Sequence, residues 1–581
     1  MNATSVTAVS GDRKTRGKQQ GAYALLLLIL GYLIMWAGTR AHFMADTNVY
    51  AQAILEHQHG GGSGDYHSLT SNPFLDFGHV LWRPVGWLTF VITKPVMPLF
   101  GYASERAEVL ISLIGINFVA ALACVFLFFR LARRFAGSDR SAIFATLGLF
   151  SADAFLNYSH SGNAYVVGLA CLVAGMYLTF GEVPPERSVV SAFLASLMFA
   201  AAVFFWFPYV LVLPAAIAAP VLMHRSDHWR WRFAGQTLVL CAAMGFAVYG
   251  ATIAFLGIRN ISDLRDWVLA AGHGHIQAGG LRVVARLAFS VPRSFINMNR
   301  DGMWLKRYLI HDPYAPVTAA NLFRLSLWKL VLFYASTAVV LIELLRSKQG
   351  RMVLLLLAST ALPIFVFAVF MFEAGSIERY LPLYPFVFLA CGYVFGAEQT
   401  TRASRFLLAL ALTATAAVNF NAMRVGALES TKARAVSRIE NLIPLLGPNS
   451  LVMAINEQDN LAEFRQDFPL DAINLESRWQ NYDMLEINTE RLATWREDFA
   501  KQVLSAWQRG GTVWLPERVF RSKPQSDWNW VEGDDKRVRW ADLPLFFSRF
   551  DTGPAVGGED GFVLLQSDST NERTLTAIGH N

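Results

Sequence analysis

Ala22-Tyr23-Ala24-Leu25-Leu26-Leu27-Leu28-Ile29-Leu30-Gly31-Tyr32-Leu33-Ile34-Met35-Trp36 is an uninterrupted apolar run. Arg13, Lys14, Arg16 and Lys18 precede it, and Phe43-Met44-Ala45-Asp46-Thr47-Asn48-Val49-Tyr50 follows it. With its margins the run approaches the roughly 20 residues that a helix needs to cross a bilayer. Basic flanks stay in the cytoplasm, so Asp46 is expected to emerge on the far side, at the membrane surface. The first 20 residues are polar and basic. The run lacks a small-residue cleavage site, so it reads as a retained signal anchor.

Similar runs recur as far as Phe420. The chain has 581 residues, is 54% hydrophobic and has a mean hydropathy of +0.34. Charged residues make up 16%, against about a quarter in soluble domains. These values exclude a soluble core and describe a polytopic membrane protein. Lys and Arg number 50 against 44 Asp and Glu, a net charge of +6. Most of that excess lies in short loops between apolar runs, as positive-inside topology requires, so nucleic acid is not an expected partner. Cys124, Cys171, Cys241 and Cys391 all lie in apolar runs without metal-ligand spacing. They read as packing residues, with no disulfide framework.

The basic clusters thread the topology. After Ala22–Trp36 comes a long outer segment, 39–106, holding His57-Gln58-His59-Gly60-Gly61-Gly62-Ser63-Gly64. Val80–Phe100 within it is apolar but broken by Pro84, Lys94, Pro95 and Pro98. With Trp82 and Trp87 it reads as a helix lying in the interface. Spans are expected at Val109–Phe129, Ala142–Leu156, Tyr165–Phe180, Val189–Phe205, Tyr209–Met223 and Phe233–Leu256. A second long outer segment, 257–324, follows. Leu325–Leu345, Met352–Phe372, Tyr380–Phe395 and Phe406–Phe420 complete about eleven spans. Arg130 to Arg140, Arg225 to Arg232, Arg346 to Arg351, and Arg402 with Arg405 all fall on one side.

An odd number of spans puts the remainder outside the cytoplasm. The tail carries seven of the sixteen tryptophans and many mixed charges. Leu451–Ile455, Gly511–Leu515 and Phe562–Leu565 read as strands. Thr489–Gln508 reads as an amphipathic helix with Leu492, Trp495, Phe499, Val503 and Trp507 on one face. The expected fold is an α-helical polytopic membrane protein with a small C-terminal α/β extracytoplasmic domain. Its parts are a basic N-terminus (1–20), a transmembrane domain (21–422), the α/β domain (423–570) and a disordered tail (571–581).

Asp46 is the first candidate for chemistry. A hydroxyl acceptor is a weak nucleophile, and a carboxylate that takes its proton accelerates attack by about 10²–10⁴-fold. A lipid phosphate is a good leaving group whose departure needs cations rather than an acid. The competing reading is an N-cap for a helix over Thr47–Leu55. Arg83, in Trp82-Arg83-Pro84, and Arg379, in Glu378-Arg379-Tyr380, are candidates for holding phosphate oxygens through paired hydrogen bonds. Snorkelling to ordinary headgroups, or a surface pair with Glu378 or Glu373, is the alternative. His79 could assist them. Segment 257–324 holds Arg282, Arg286, Arg293, Arg300, Trp304, Lys306, Arg307 and His311. This basic, aromatic outer segment could receive an anionic headgroup, or simply attract anionic lipid. His57-Gln58-His59 and His273-Gly274-His275 lack a third ligand, so no metal or other cofactor is assigned.

Together these residues resemble the GT-C superfamily of integral-membrane glycosyltransferases. An acid follows the first span, in Asp46-Thr47-Asn48-Val49-Tyr50-Ala51. Trp82-Arg83-Pro84-Val85 is similar to the Tyr-Arg-Pro-Leu signature of protein O-mannosyltransferase relatives. Asn117 and Ser161-Gly162-Asn163-Ala164 follow in order, and Glu378-Arg379-Tyr380-Leu381-Pro382-Leu383 resembles a late Glu-Arg-Tyr-Leu-Tyr-Leu-Pro motif. The resemblance covers roughly Ala22–Phe420. It implies a polyprenyl-phosphate sugar donor and a glycan, lipid or protein acceptor; a bacterial inner-membrane location is expected from the size of the chain and the absence of an obvious retention signal. It also implies Asp46 as general base, Arg83, Arg379 and His79 at the donor phosphate, and a cleft completed by Tyr50, Trp82, Arg286, Arg300, Trp304, His311 and Glu378. Thr47 stands where the family often has a second acid, leaving Asp65, Asp76 and Glu105 as possible helpers. A glycan-polymer ligase and a lipid or sugar transporter are the rival readings; buried mid-membrane ionisable groups, which transporters need, are few.

Overall fold

In the computed structural model every apolar run from Ala22 to Phe420 is helical. The structure describes residues 4–42, 44, 46–60, 74–100, 104–181, 188–223, 228–270, 281–298, 308, 318–370, 375–426, 441–454, 482–486, 495–521, 542–556 and 561–579. They form two compact units, one of residues 1–297 with 330–424 and one of 298–329 with 425–581.

The first unit is all-helical. Its helices are α1 (Thr4–Gly38), α2 (Thr47–Gln58), α3 (Trp82–Thr93), α4 (Glu105–Ala136), α5 (Asp139–Ser151), α6 (Asp153–Ser159), α7 (Tyr165–Thr179), α8 (Ser188–Phe205), α9 (Leu213–Met223), α10 (His228–Phe255), α11 (Ile261–Ala270), α12 (Leu281–Phe295), α13 (Trp328–Leu345), α14 (Lys348–Phe370), α15 (Tyr384–Gly396) and α16 (Arg402–Met423). Among the described residues, six helices are long and apolar enough to cross a membrane; α7, α8 and α9 are shorter apolar helices. This is a multi-pass membrane architecture. Trp231, Leu238, Val239, Phe246 and Phe255 of α10 are exposed, as a surface bathed in lipid allows.

Local chemistry sets the helix ends. α4 opens with Glu105 and Glu108 and closes with Arg133 and Arg134, matching the helix dipole at both ends. Gly137, at φ 64°, stops it in the left-handed conformation that glycine adopts freely, with its N–H on the Arg133 carbonyl. The core packs α4 against α5 and α7, α7 against α8, α8 against α10, and α5 against α15. α7 approaches its neighbours closely: a Cβ on Gly168 would lie 2.5 Å from the Tyr209 ring.

Two expectations are refined. The run Ala142–Leu156 is two helices, because Ala152 is extended (ψ 141°) between α5 and α6. Asn419 donates to the freed Ser151 carbonyl (2.7 Å), which stabilises the break. The segment read as interfacial holds α3, whose Trp82, Arg83, Gly86 and Phe90 are buried while Leu88, Val91 and Ile92 are exposed.

The second unit contains a five-stranded sheet in the order β2-β1-β3-β5-β4. Its strands are β1 (Ser450–Ala454), β2 (Tyr482–Glu486), β3 (Val513–Pro516), β4 (Thr552–Val556) and β5 (Phe562–Leu565). β1 runs parallel to β2 and β3, and β5 antiparallel to β3 and β4. Helix α17 (Trp495–Gln508) turns Trp495, Phe499, Val503 and Ala506 into the core with Leu451, Val513, Leu515 and Leu565. Trp528, Trp530 and Trp540 lie outside the described residues.

Helix α18 (Asp542–Phe547) precedes β4, and the described part of the tail expected to be disordered is helical, in α19 (Ser569–Gly579). Asp568 caps α19 by accepting from Thr570 N (2.9 Å) and Asn571 N (2.8 Å). Buried Asn571 donates to the carbonyls of Asp551 and Gln566, each at 2.8 Å. Leu575 is fully buried. Leu575, the partly buried Ile578 and one well-bonded amide hold an otherwise polar segment in place.

Candidate active site

The polar turn after α6 builds the site. Every residue from Ser151 to Ala170 is buried, including Tyr158-Ser159-His160-Ser161-Gly162-Asn163. Asn117 of α4 donates to the Ser161 (2.7 Å) and Asn163 (2.6 Å) carbonyls. The turn in turn fixes the start of α2: Gly162 N donates to Thr47 Oγ1 (2.9 Å) and Asn163 Nδ2 to the Met44 carbonyl (2.9 Å). His42 N donates to Asn157 Oδ1 (2.9 Å). The carrier of Asp46 is therefore held at His42 and Met44 before it and at Thr47 after it.

Asp46 occupies the N-cap position of α2, but its side chain makes no capping bond. Capping residues ordinarily have extended backbone, which swings the side chain over the first N–H groups. Asp46 has φ −75° and ψ 10°, close to helical, and the carboxylate is turned away from them. It is half-buried, with Oδ2 at 3.5 Å from the Tyr165 hydroxyl, which donates to it.

Tyr165 joins Asp46 to the late motif. Its ring lies 4.8 Å from Tyr158 at 90° and 4.8 Å from Trp206. The Tyr158 hydroxyl donates to Glu378 Oε2 at 2.8 Å. Glu378 Oε1 lies 3.7 Å from Arg379 Nε, and the Arg379 guanidinium sits 5.9 Å from the Trp206 ring centre. Glu378 and Arg379 belong to a tight helical turn, Ile377–Leu383. The Asp46 and Glu378 carboxylates both act electrostatically on the Tyr165 hydroxyl. Those two and Arg379 all act on that of Tyr158. Residues more than three hundred positions apart thus form one polar cluster.

Arg83, Tyr50, His79 and Trp82 lie behind Asp46. Tyr50 is 2% exposed and Arg83 is 1% exposed. The Arg83 guanidinium stands 5.4 Å from the centre of the Tyr50 ring, which meets His79 and Trp82 edge-on. Burial pushes the Tyr50 hydroxyl well above its ordinary pKa, and the Asp46 carboxylate adds to the shift.

Three of the expected site residues are enclosed by the protein. Trp82 does not line a cleft: it is fully buried and its Nε1 donates to the Gly162 carbonyl (3.0 Å). His79 does not present a cation to phosphate. Its Nδ1 donates to the Phe205 carbonyl (2.9 Å), and burial lowers its pKa, favouring the neutral ring, against the raising field of Asp76. Arg83 is enclosed as well, its side chain reaching no surface. Arg379, with its side chain 12% exposed, is the cation of the cluster that solvent reaches.

Among the possible helper acids, Asp76 caps its own turn, accepting from Gly78 N at 3.2 Å. Glu105 pairs with Lys94 (2.6 Å) and His59 (2.7 Å). Asp65, Arg300, Trp304, His311 and the His273–His275 pair lie outside the described residues, as does the Arg286 side chain. No group of three or more His, Cys, Asp or Glu residues suited to a metal ion occurs among the described residues. Tyr158, Tyr165 and Trp206 were not singled out from sequence, since aromatic residues in apolar runs look like core.

No protein-family model matches the chain, and no curated protein sequence matches it. Among solved structures it is similar to ArnT from Cupriavidus metallidurans in the apo state, with 13% identity, a TM-score of 0.46, and coverage of 93% of this chain and 97% of that one. It is also similar to the oligosaccharyltransferase of Archaeoglobus fulgidus in the apo form (12% identity, TM-score 0.46, 92% of this chain and 73% of that one). ArnT from Cupriavidus metallidurans bound to undecaprenyl phosphate gives 14% identity, a TM-score of 0.42, and coverage of 94% and 98%.

Proposed function

We propose that this chain is an inverting glycosyltransferase of the GT-C type. It would move a sugar from a polyprenyl-phosphate donor to a hydroxyl acceptor at the extracytoplasmic face of the membrane. The observation that carries the reading is the uncapped Asp46 carboxylate, joined to Arg379 through Tyr165, Tyr158 and Glu378.

In this mechanism Asp46 takes the proton of the acceptor hydroxyl. The acceptor oxygen attacks the anomeric carbon from the face opposite the phosphate. The bond between that carbon and the phosphate oxygen breaks, its electron pair stays on the phosphate, and the configuration inverts. Arg379 balances the charge on the departing polyprenyl phosphate. Arg83 adds a buried positive field, and Glu378 keeps Arg379 in place. With the N-terminus in the cytoplasm and the odd number of spans expected from the sequence, the C-terminal unit would lie outside and would orient the acceptor. A bacterial inner membrane is the proposed location.

The test uses the purified full-length protein in lipid nanodiscs with a panel of polyprenyl-phosphate-linked hexoses and pentoses. Free polyprenyl phosphate and transferred sugar should appear together for one donor class, and Asp46→Asn should suppress both. Full activity of Asp46→Asn, or no release from any donor, overturns the reading. Transfer of a preassembled glycan instead of one sugar would select the ligase.

A further inference from the structure

Tyr165 has a hydroxyl whose neighbours are unusual for an aromatic residue inside an apolar helix. It is 4% exposed, and its ring is enclosed by Trp206, Tyr158 and His79, the last at 5.9 Å. Its own carbonyl accepts from the Tyr209 hydroxyl at 2.7 Å, which pins the first turn of α7. Gly168, one turn on, lies against that same Tyr209 ring. Neither ring nor backbone has room to move. The hydroxyl that results is delivered to Asp46 Oδ2 and also meets the Tyr50 hydroxyl.

We propose that Tyr165 is the positioning residue for Asp46: its immobilised phenol holds the carboxylate clear of the α2 N-terminus and aimed at the acceptor. This rests on the reading of Asp46 as base given above. Three features favour it. The backbone of Asp46 has already lost the geometry for capping, so some other group must fix its side chain. A neutral phenol donor can orient a carboxylate through one hydrogen bond without placing a further charge beside it. The same ring touches Tyr158, the donor to Glu378, so base and phosphate-binding turn share one rigid support.

The experiment compares wild type, Tyr165→Phe, Asp46→Asn and the double variant in nanodiscs. The donor is whichever polyprenyl-phosphate sugar wild type turns over. Phenylalanine keeps the ring packing and removes only the hydroxyl. Tyr165→Phe should lower kcat on the order of tenfold, the scale of one hydrogen bond to a charged group. It should leave KM for donor unchanged and the thermal midpoint within a few degrees. In the Asp46→Asn background the same change should cost nothing further. A second readout needs no turnover: the wild-type minus Tyr165→Phe infrared difference spectrum should contain a shifted carboxylate stretch that disappears in the Asp46→Asn background. Unchanged kcat in Tyr165→Phe, an equal loss in both backgrounds, or no carboxylate band overturns the positioning role. Fully active Asp46→Asn instead overturns the transferase reading beneath it.

Discussion

Asp46 and Asp76 are the same residue type in nearly the same position. Each precedes a helical turn, and both lie within electrostatic reach of Tyr50 and His79. Asp76 has extended backbone (φ −71°, ψ 137°) and accepts from Gly78 N, a capping contact. Asp46 has near-helical backbone (φ −75°, ψ 10°) and caps nothing. About 130° of one torsion separates a carboxylate occupied with holding a turn from one left for chemistry. Position at a helix start therefore does not by itself make an aspartate a cap; the ψ angle at that residue decides whether its side chain reaches the free N–H groups.

One substitution made at both sites tests this most severely. Asp46→Asn should cost on the order of 10²–10⁴ in kcat, since an amide cannot take the acceptor proton, with little change in thermal midpoint. Asp76→Asn should keep turnover within a few-fold, because asparagine caps as well as aspartate. Similar losses in both, measured as sugar transfer by the purified protein, would erase the distinction.

Arg379→Gln is expected to lower turnover on the order of a hundredfold, the effect of losing one preorganised group at a developing anion. Arg379→Lys should recover part of it, since lysine restores the charge without the paired donors. Full activity in Arg379→Gln would move the phosphate elsewhere. Asp76→Ala should lower stability by about 1 kcal/mol, read as a fall in thermal midpoint, with the chemistry retained. Tyr158→Phe should have the smallest effect, a few-fold rise in donor KM. Glu378 would lose a neutral donor worth on the order of 1 kcal/mol and hold Arg379 less firmly; an unchanged KM would show that the turn keeps its own geometry.

Much of the architecture was legible because bilayer thickness and backbone hydrogen bonding leave so few solutions. Apolar runs such as Val109–Phe129 and Phe406–Phe420 had to be helices. The strands at Leu451 and Phe562 carried their short apolar signatures, bounded by turns. Break points were harder to read, because Ala152 and Ser151 look like any small pair in a span. The helix at Ser569 was missed since its burial rests on Leu575, Ile578 and a single amide, too little to stand out from a polar tail. At the site, Asp46 and Arg379 could be named from their motifs, but not what joins them. Tyr158, Tyr165 and Trp206 gain their meaning from packing between α6, α7 and the turn before the Ile377 motif. Trp82 misled for the opposite reason: its ring is amphipathic enough for an interface, yet its N–H points inward.

The enclosed turn Tyr158–Asn163 has a practical consequence for anyone mapping this chain. Its polarity marks it as a natural place for a reporter cysteine or an epitope, yet all six residues are shut away from water. A thiol introduced at Ser161 would be silent to a membrane-impermeant maleimide from either side. Labelling scans would then score this polar turn as lipid-embedded and invert every later crossing. An inserted tag would pull the Asn117 clamp from Ser161 and unseat the start of α2 before reporting anything about orientation.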